Sequence, residues 1–444
     1  MAITFLVFHC LSKPFQHKAI SFLLIPVWLG YEFLHLRWEL SWPWLSLGNT
    51  FSLNTSWVQW YEYTGILGGS AWVLLCNTLI YEALVCYLKD KSFFPIKKAT
   101  WKALLVVFIP ITISYTILST YAPENGDKIN VLVVQPNIDP YNEKFSIHYT
   151  PVDQLKKFFQ LIEPFKNQEI DLILGPETML SSEIWEERIE SFPVIQYFNE
   201  EKKKWPKTSF LVGASTSNFF ETKVSSAAKE LPNFGGYIES YNTSLFFSSD
   251  DRKELVHKSK LVLGVEKIPF SGWLPFLENF ALENGGTSGS LGTEKTPKVL
   301  HSPKGVLAPV ICYESIYGEF IGEQVNKGAN LICVLTNDGW WGDSPGYQQH
   351  FSFSRLRAIE NRRWVARSAN TGTSGFIDPT GKVITSSNYW EPDVLKLQLN
   401  LNNKITFYTK YGDLLGRGSI VFTVIFILFF LYKKFTSRKK NLTS

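Results

Sequence analysis

The sequence predicts an α/β domain inserted between transmembrane α-helices. Three observations support this: long apolar runs towards both chain ends, a mixed polar and apolar middle, and short β-rich runs there that alternate with helical patterns. The 444 residues have room for both parts, because a domain ordinarily holds about 100 to 200 residues. We expect N-terminal membrane helices over 1–121, a folded domain over 122–408, and a last membrane helix with a basic tail over 409–444.

Four apolar runs predict membrane spans, since a transmembrane helix needs about 20 mainly apolar residues. They are Ala19 to Leu36, Gly65 to Leu88, Trp101 to Thr120 and Leu414 to Tyr432. The run Met1 to Leu11 is too short to cross fully, and it is left open whether it belongs to a span or lies at the interface.

Basic residues beside these runs predict their orientation, because Lys and Arg gather on the cytoplasmic side. The C-terminal tail is therefore expected in the cytoplasm and the folded domain outside it. The lysines between the second and third runs lead to the same result. The basic residues concerned are Lys89, Lys91, Lys97, Lys98, Lys433, Lys434, Arg438, Lys439 and Lys440.

Composition argues against several classes of protein. A net charge of +4 without a dense basic stripe does not indicate nucleic-acid binding. The five cysteines show no CxxC or disulfide-rich pattern, and no His, Cys and carboxylate cluster stands at ligand spacing. We therefore expect no metal and no cofactor.

Polar residues follow three predicted strands of the middle region. Glu177 follows DLILGP, Cys312 ends VLAPVIC, and Asn337 with Asp338 follows LICVLT. Functional side chains of α/β sheets converge at the carboxyl ends of strands, so these ends are the candidate site. The remaining predicted strands are Asn130 to Ile138, SFLVGAST, YNTSLFFSS and the run from Trp364 to Ile377, and an amphipathic helix is predicted from Val152.

The motifs resemble a known superfamily. Glu177 in GPET, Lys258 in HKSKLVLGVEKIPF and Cys312 in ICYES resemble the ordered Glu, Lys, Cys triad of the nitrilase superfamily. NDGWWG, QQH, RAIENRRWVARSANTG and SGFIDPTG, with the flanking spans, resemble more closely the apolipoprotein N-acyltransferase family within it. The resemblance implies a nitrilase-like α-β-β-α sandwich on the periplasmic side of a bacterial inner membrane.

Each triad residue answers a chemical need. A cysteine attacks a carbonyl only as thiolate, and its ordinary pKa of about 8.5 leaves it mostly protonated at neutral pH. The carboxylate of Glu177 can accept the thiol proton, and the Lys258 ammonium can stabilise the oxyanion. Taken singly, Cys312 could be a core residue, Glu177 a helix cap, and Lys258 or Lys260 a solvated charge; the family motif favours Lys258. Cys333 is interpreted as core.

Further site residues come from the resemblance alone. It implies that Glu266 and Glu314 orient Lys258 or the substrate amine, that Tyr313 lines the site, and that Phe145 packs against an acyl chain where the family commonly has Trp. Glu266 and Glu314 could instead form ordinary ion pairs or surface charges. The apolar arm Phe270 to Phe280 is expected to be either a lid or a packed surface loop.

The resemblance also implies a reaction. A fatty acyl group would pass from a phospholipid, through a thioester on Cys312, to the α-amine of a lipoprotein's N-terminal diacylglyceryl-cysteine, in a monomer without cofactors. Two alternatives stay open. One is a membrane-tethered amidohydrolase; the other is a non-catalytic relic, suggested by an N-terminal region with about three fewer spans than the family usually has.

Overall fold

The computed structural model describes residues 1–13, 20–91, 94–123, 126–144, 149–232, 235–270 and 290–442. The chain forms two compact units, one made of residues 1–121 with 410–444 and the other of residues 122–409. The first unit is α-helical and the second is α/β.

The first unit holds the apolar helices. Within the described residues, three helical stretches are long and apolar enough to cross a bilayer: Tyr61–Lys89, Thr100–Thr120 and Leu414–Thr436. The helices of this unit are α1 (Ala2–Ser12), α2 (Leu24–His35), α3 (Tyr61–Asp90), α4 (Phe94–Thr120) and α10 (Leu414–Leu442).

The predicted span Ala19 to Leu36 is shorter in the structure. Its helical stretch, Ile20–His35, covers about 24 Å at 1.5 Å per residue, less than the hydrocarbon thickness of about 30 Å. Glu32 in this stretch is buried and accepts hydrogen bonds from Trp28 Nε1 (2.9 Å), Leu47 N (3.0 Å) and Ser70 Oγ (2.6 Å). The carboxylate therefore ties α2 to the chain that follows it and to α3.

The second unit contains two sheets. The order of the first is β14-β1-β2-β4-β6-β5, with β3 beside β4 and β7 beside β6, and that of the second is β13-β12-β11-β10-β9-β8. The strands are β1 (Lys128–Gln135), β2 (Leu172–Leu174), β3 (Leu180–Trp185), β4 (Ser209–Phe220), β5 (Lys229–Leu231), β6 (Gly236–Phe247), β7 (Lys253–His257), β8 (Leu300–Ser302), β9 (Gly305–Ile311), β10 (Leu331–Thr336), β11 (Trp364–Ala369), β12 (Gly375–Ile377), β13 (Val383–Ser386) and β14 (Asp393–Asn400).

Helices cover the outer faces of the two sheets. Helices α5 (Pro151–Ile162) and α6 (Pro193–Lys202) belong to the first sheet, whereas α7 (Gly318–Asn326) and α8 (Pro345–Asn361) belong to the second. The short helix α9 (Phe407–Tyr411) contains the boundary between the two units. The layers follow the order helix, sheet, sheet, helix, so the predicted α/β fold is confirmed.

The space between the sheets is filled by apolar side chains from both. Val131 and Phe246 come from the first sheet, and Leu335 and Ala366 come from the second. Cys333 lies fully buried among them, as predicted. Burying one large aliphatic or aromatic side chain contributes about 1.5 to 3 kcal/mol, so this layer holds the two sheets, and the strand ends they carry, in fixed positions.

The run from Trp364 to Ile377 is two antiparallel strands, β11 and β12, and not one strand. The chain reverses between them at Asn370 to Ser374. Ser374 Oγ accepts a hydrogen bond from Ala369 N (2.9 Å), and Asn370 Nδ2 donates to Ile138 O (2.7 Å). These polar side chains close the turn, and apolar patterning alone did not locate it.

Candidate active site

Three strand ends carry the residues of the predicted triad. Glu177 follows β2, Lys258 follows β7, and Cys312 follows β9. Strands β2 and β7 belong to the first sheet, whereas β9 belongs to the second. The candidate site therefore draws on both sheets of the sandwich.

Lys258 links two carboxylates inside the domain. Its side chain is fully buried, and Nζ donates hydrogen bonds to Glu177 Oε1 (3.1 Å) and Glu266 Oε1 (2.9 Å). Asn242 Nδ2 donates to the same two oxygens, at 2.8 and 2.9 Å. An ammonium and an amide thus hold both carboxylates in fixed positions, which is the arrangement a buried charge requires.

The charges of this cluster stabilise one another. Burial acts to raise the pKa of Glu177, yet the Lys258 ammonium and the hydrogen bonds from Asn242 and Lys258 hold it below its ordinary value. Burial acts to lower the pKa of Lys258, but Glu177, Glu266 and Cys312 raise it well above its ordinary value. Glu177 is therefore an available carboxylate at neutral pH, and Lys258 is an ammonium.

Cys312 lies half-buried at the start of the 3₁₀ turn Cys312–Ile316. Its φ of +51° is left-handed, a backbone conformation that is uncommon for residues other than glycine. Burial, followed by the charge of Glu177, raises the pKa of the thiol, and Lys258 opposes this effect. The sulfur is thus a thiol at rest, and its attack on a carbonyl needs a base to take the proton.

Glu314 joins the segment after Lys258 to the nucleophile turn. It is buried, and its carboxylate accepts hydrogen bonds from Ser259 N (2.6 Å), Lys260 N (3.2 Å) and Ile311 N (2.7 Å). Burial raises its pKa to about 7 against the effect of these amides and of the Lys258 charge. Glu314 therefore orients main chain near Lys258, whereas Glu266 contacts the ammonium directly.

The other residues implied by the resemblance are placed as follows. Tyr313 is buried, and its ring meets that of Tyr317 edge-on at 5.5 Å. Phe145 lies outside the described residues, and so does 271–289, which holds all of the apolar arm except Phe270.

A second polar cluster fixes the main chain of Cys312. The Cys312 carbonyl accepts a hydrogen bond from Ser315 Oγ (2.7 Å) and lies 3.1 Å from His350 Nε2. His350 Nδ1 lies 2.8 Å from Asp338 Oδ1, and Arg367 Nη2 donates to Asp338 Oδ2 (2.7 Å). His350 Nε2 also lies 2.9 Å from Ser315 Oγ, and its contact with the Cys312 carbonyl is a hydrogen bond in the tautomer that carries a proton on Nε2.

Sequence spacing indicated no cluster of His, Cys and carboxylate residues, but the fold forms one here. One ligand atom from each of Cys312, Asp338 and His350 lies within 4.8 Å of the others, although the three residues are far apart in sequence. Their partners disfavour a metal. Asp338 is paired with the Arg367 guanidinium, whose charge repels a cation, and both nitrogens of His350 are engaged. We interpret the group as a support for the nucleophile turn.

Replacing His350 tests that support. Gln carries an amide donor near the position of Nε2, so His350→Gln should keep most of the alkylation rate of Cys312 by iodoacetamide. His350→Leu, which lacks the donor, should lower that rate roughly 10²-fold, since small misplacements of a reacting group have effects of this size. Mass analysis of the Cys312 peptide gives the rate. Equal rates for the two variants would contradict the role.

Sequence reasoning missed four residues of this region: Lys144, Asn242, His350 and Arg367. Asp338 and His350 stood in motifs already singled out, but only the fold shows what they contact. Asn242 and Arg367 lie inside strands that read as ordinary β sequence, and nothing in the pattern separates them from structural polar residues.

A sandwich of two sheets that carries a buried carboxylate and ammonium pair, and a half-buried cysteine whose pKa both charges affect, fits a domain of the carbon-nitrogen hydrolase class. The profile of that family, "Carbon-nitrogen hydrolase", matches residues 133–406. A second profile, "Apolipoprotein N-acyltransferase N-terminal domain", matches residues 1–79. The chain belongs to the apolipoprotein N-acyltransferase family within the carbon-nitrogen hydrolases.

Individual relatives agree with these profiles. The "Apolipoprotein N-acyltransferase" of Chlorobaculum tepidum is 30% identical over 426 residues, which cover 93% of this chain and 77% of that protein. The protein of the same name from Geobacter metallireducens is 27% identical, with 89% of this chain and 70% of that protein covered. Among solved structures, Saccharomyces cerevisiae Nit3, a nitrilase-superfamily member, overlaps 63% of this chain and 93% of its own, with 18% identity and a TM-score of 0.45.

Proposed function

We propose that this protein transfers a fatty acyl group from a phospholipid to the α-amine of the N-terminal diacylglyceryl-cysteine of a lipoprotein. The observation that carries the proposal is the buried Glu177 and Lys258 pair, whose charges both act on the pKa of the half-buried Cys312. Membership of the acyltransferase family supports the choice of donor and acceptor. The roles of the three residues are part of the proposal.

The first step forms a thioester. Glu177 accepts the proton of the Cys312 thiol, and the sulfur attacks the carbonyl carbon of a phospholipid ester. Negative charge develops on the carbonyl oxygen, where Lys258 Nζ and a backbone N–H stabilise it; one such donor is worth about 3 to 4 kcal/mol. The ester C–O bond breaks, and the leaving alkoxide takes the proton from Glu177. A lysophospholipid departs.

The second step passes the acyl group to nitrogen. The α-amine of the acceptor attacks the thioester carbon, and Glu177 accepts a proton from the nitrogen. The C–S bond breaks, and the departing sulfur takes that proton from Glu177, so that thiol and carboxylate return to their starting states. Neither step uses a metal or a cofactor, and the donor product leaves before the acceptor reacts.

The membrane helices account for the lipid substrates. We propose that the first unit spans a bacterial inner membrane and that residues 122–408 form the catalytic domain on its periplasmic side. Lys433 and Lys434 follow the apolar part of α10, and basic residues at a span end favour the cytoplasm. In this orientation the diacylated acceptor and the phospholipid donor are anchored in the same bilayer as the enzyme.

An assay with the full chain in lipid bilayers tests the proposal. Phospholipid with a labelled acyl chain and a diacylated lipopeptide are added, and the lipopeptide mass is followed. We expect the mass of one labelled acyl chain to be gained, together with an equal amount of lysophospholipid. Release of free labelled fatty acid without triacylated product would favour the hydrolase alternative instead. No turnover and no acylated Cys312 would overturn the proposal.

A further inference from the structure

A second buried lysine lies beside the proposed base. The Lys144 side chain is almost fully buried, and its Nζ donates hydrogen bonds to the Glu177 carbonyl oxygen (3.3 Å) and to Thr178 Oγ1. Lys258 contacts the carboxylate of Glu177, whereas Lys144 contacts its main chain. The two ammonium groups therefore hold the same residue at different atoms.

Hydrogen bonds hold both the backbone N–H and the backbone carbonyl of Lys144. Lys144 N donates to Asp139 O (2.9 Å), and Lys144 O accepts from Gln154 Nε2 (2.8 Å). Gln154 belongs to α5 and is fully buried. Burying a lysine and a glutamine costs free energy unless their polar groups are satisfied, and these contacts place the Nζ atom against the Glu177 turn.

The turn that Lys144 contacts is strained. Thr178 has a φ of +48°, a left-handed conformation that is rare for a β-branched residue. Behind the turn, Gly213 on β4 donates from N to Pro176 O (2.9 Å), and a Cβ at Gly213 would come within 2.4 Å of Thr178 N and 2.6 Å of the Glu177 Cα. The backbone of Gly213, which has no side chain, contacts one side of the turn. Lys144 donates to two acceptors of the turn, the Glu177 carbonyl oxygen and Thr178 Oγ1.

Electrostatics adds to these contacts. Burial lowers the pKa of Lys144 to about 8, and the charges of Glu177 and Cys312 oppose the effect. In return, the charge of Lys144 helps to lower the pKa of Glu177. Two other charged groups act on Glu177 and Cys312. The charge of Lys258 lowers the pKa of both residues, and the charge of Asp338 raises the pKa of Cys312. Lys144 is positive below about pH 8 and loses this charge as the pH rises through that value.

We infer that Lys144 is a positioning residue for the proposed base: it holds the strained Glu177 and Thr178 turn in place and adds a positive charge beside the Glu177 carboxylate. The inference rests on the proposed function, because it assigns Lys144 to the step in which Glu177 takes the Cys312 proton.

The test measures thioester formation on Cys312 from labelled phospholipid without an acceptor, between about pH 6 and pH 9.5. In the unchanged protein the rate should fall as the pH rises through about 8, where Lys144 loses its proton. Lys144→Met should lower the maximum rate roughly 10- to 100-fold and remove the fall near pH 8. Omitting the acceptor keeps the titration of its amine out of the profile.

Matched variants distinguish a positioning role of Lys144 from a general loss of stability on replacing a lysine. Lys157 on α5 donates from Nζ to Asn137 O (2.8 Å), away from Glu177, so Lys157→Met should keep the rate and the pH profile. Thr178→Val removes one acceptor of Lys144 without changing the side-chain shape. It should lower the rate alone but add little in the Lys144→Met background, because the two residues share one interaction. Thr178→Val also tests the inference if Lys144→Met does not fold.

The outcomes distinguish the inference from the proposed function. An unchanged rate and pH profile in Lys144→Met, or fully additive effects of the two substitutions, would overturn the role of Lys144 and leave the thioester mechanism intact. A complete lack of labelled Cys312 in the unchanged protein would overturn the mechanism itself.

Discussion

Replacing Cys312 with alanine is expected to abolish the labelled thioester and to lower the formation of triacylated lipopeptide roughly 10⁴-fold or more. The physical reason is that the proposed mechanism has no other acyl carrier. Cys333 is sealed in the core between the sheets, and Cys312 alone among the cysteines lies beside Glu177 and Lys258 within the described residues. The measurement is the mass of the Cys312 peptide after incubation with labelled phospholipid.

Cys333→Ala is the matched control. It removes a sulfur of the same kind from the buried face of β10, where the loss of a small side chain should cost about 1 kcal/mol of stability. Labelling should persist in this variant. Labelled acyl chains bound to the Cys312→Ala protein would show that the carrier lies elsewhere, whereas unlabelled Cys312 in an active protein would exclude a thioester route.

Lys258→Met is expected to be the most damaging substitution at a charged position. Methionine fills similar space but removes the ammonium that pairs with the buried Glu177 and the part-buried Glu266. Removing one partner of a buried ion pair typically destabilises a protein by about 3 to 5 kcal/mol. We expect a large fall in the melting temperature, measured by circular dichroism, and no detectable thioester.

The stability of the Lys258→Met variant should also depend on pH in a direction that can be predicted. Without Lys258, burial should raise the pKa of Glu177 above its value in an unfolded chain. Folded protein then binds more protons than unfolded protein, so the variant should gain stability as the pH falls and lose it as the pH rises. Lys260→Met is the control, because Lys260 Nζ lies over the Tyr317 ring at 5.6 Å. A stable, active Lys258→Met protein would refute the assignment.

The sequence predicted candidate site residues where a reactive side chain follows an apolar strand. Glu177 and Cys312 could be selected because DLILG and VLAPVI are buried strands that each end in a reactive side chain. Spacing within the family motif then favoured Lys258 over Lys260, and the structure buries Lys258 against two carboxylates. For these residues, local pattern and tertiary position agree.

The remaining features depend on contacts between distant segments. Lys144 reads as one more charge in a polar stretch, and its burial follows only from Gln154 on α5 and the turn after β2. The group of Cys312, Asp338 and His350 escaped a search based on ligand spacing, because its members follow different strands or lie on α8. Periodicity also missed the turn between β11 and β12, which polar side chains close.

The division of the candidate site between two sheets bears on how the enzyme matures. Sulfur is supplied by β9, whereas the carboxylate and the ammonium are supplied by β2 and β7 of the other sheet. A nascent chain with only one sheet formed has a thiol without a proton acceptor, or a proton acceptor without a thiol. By the proposed mechanism such a chain cannot form a thioester with the lipids around it, and acyl transfer requires both sheets to have packed against each other.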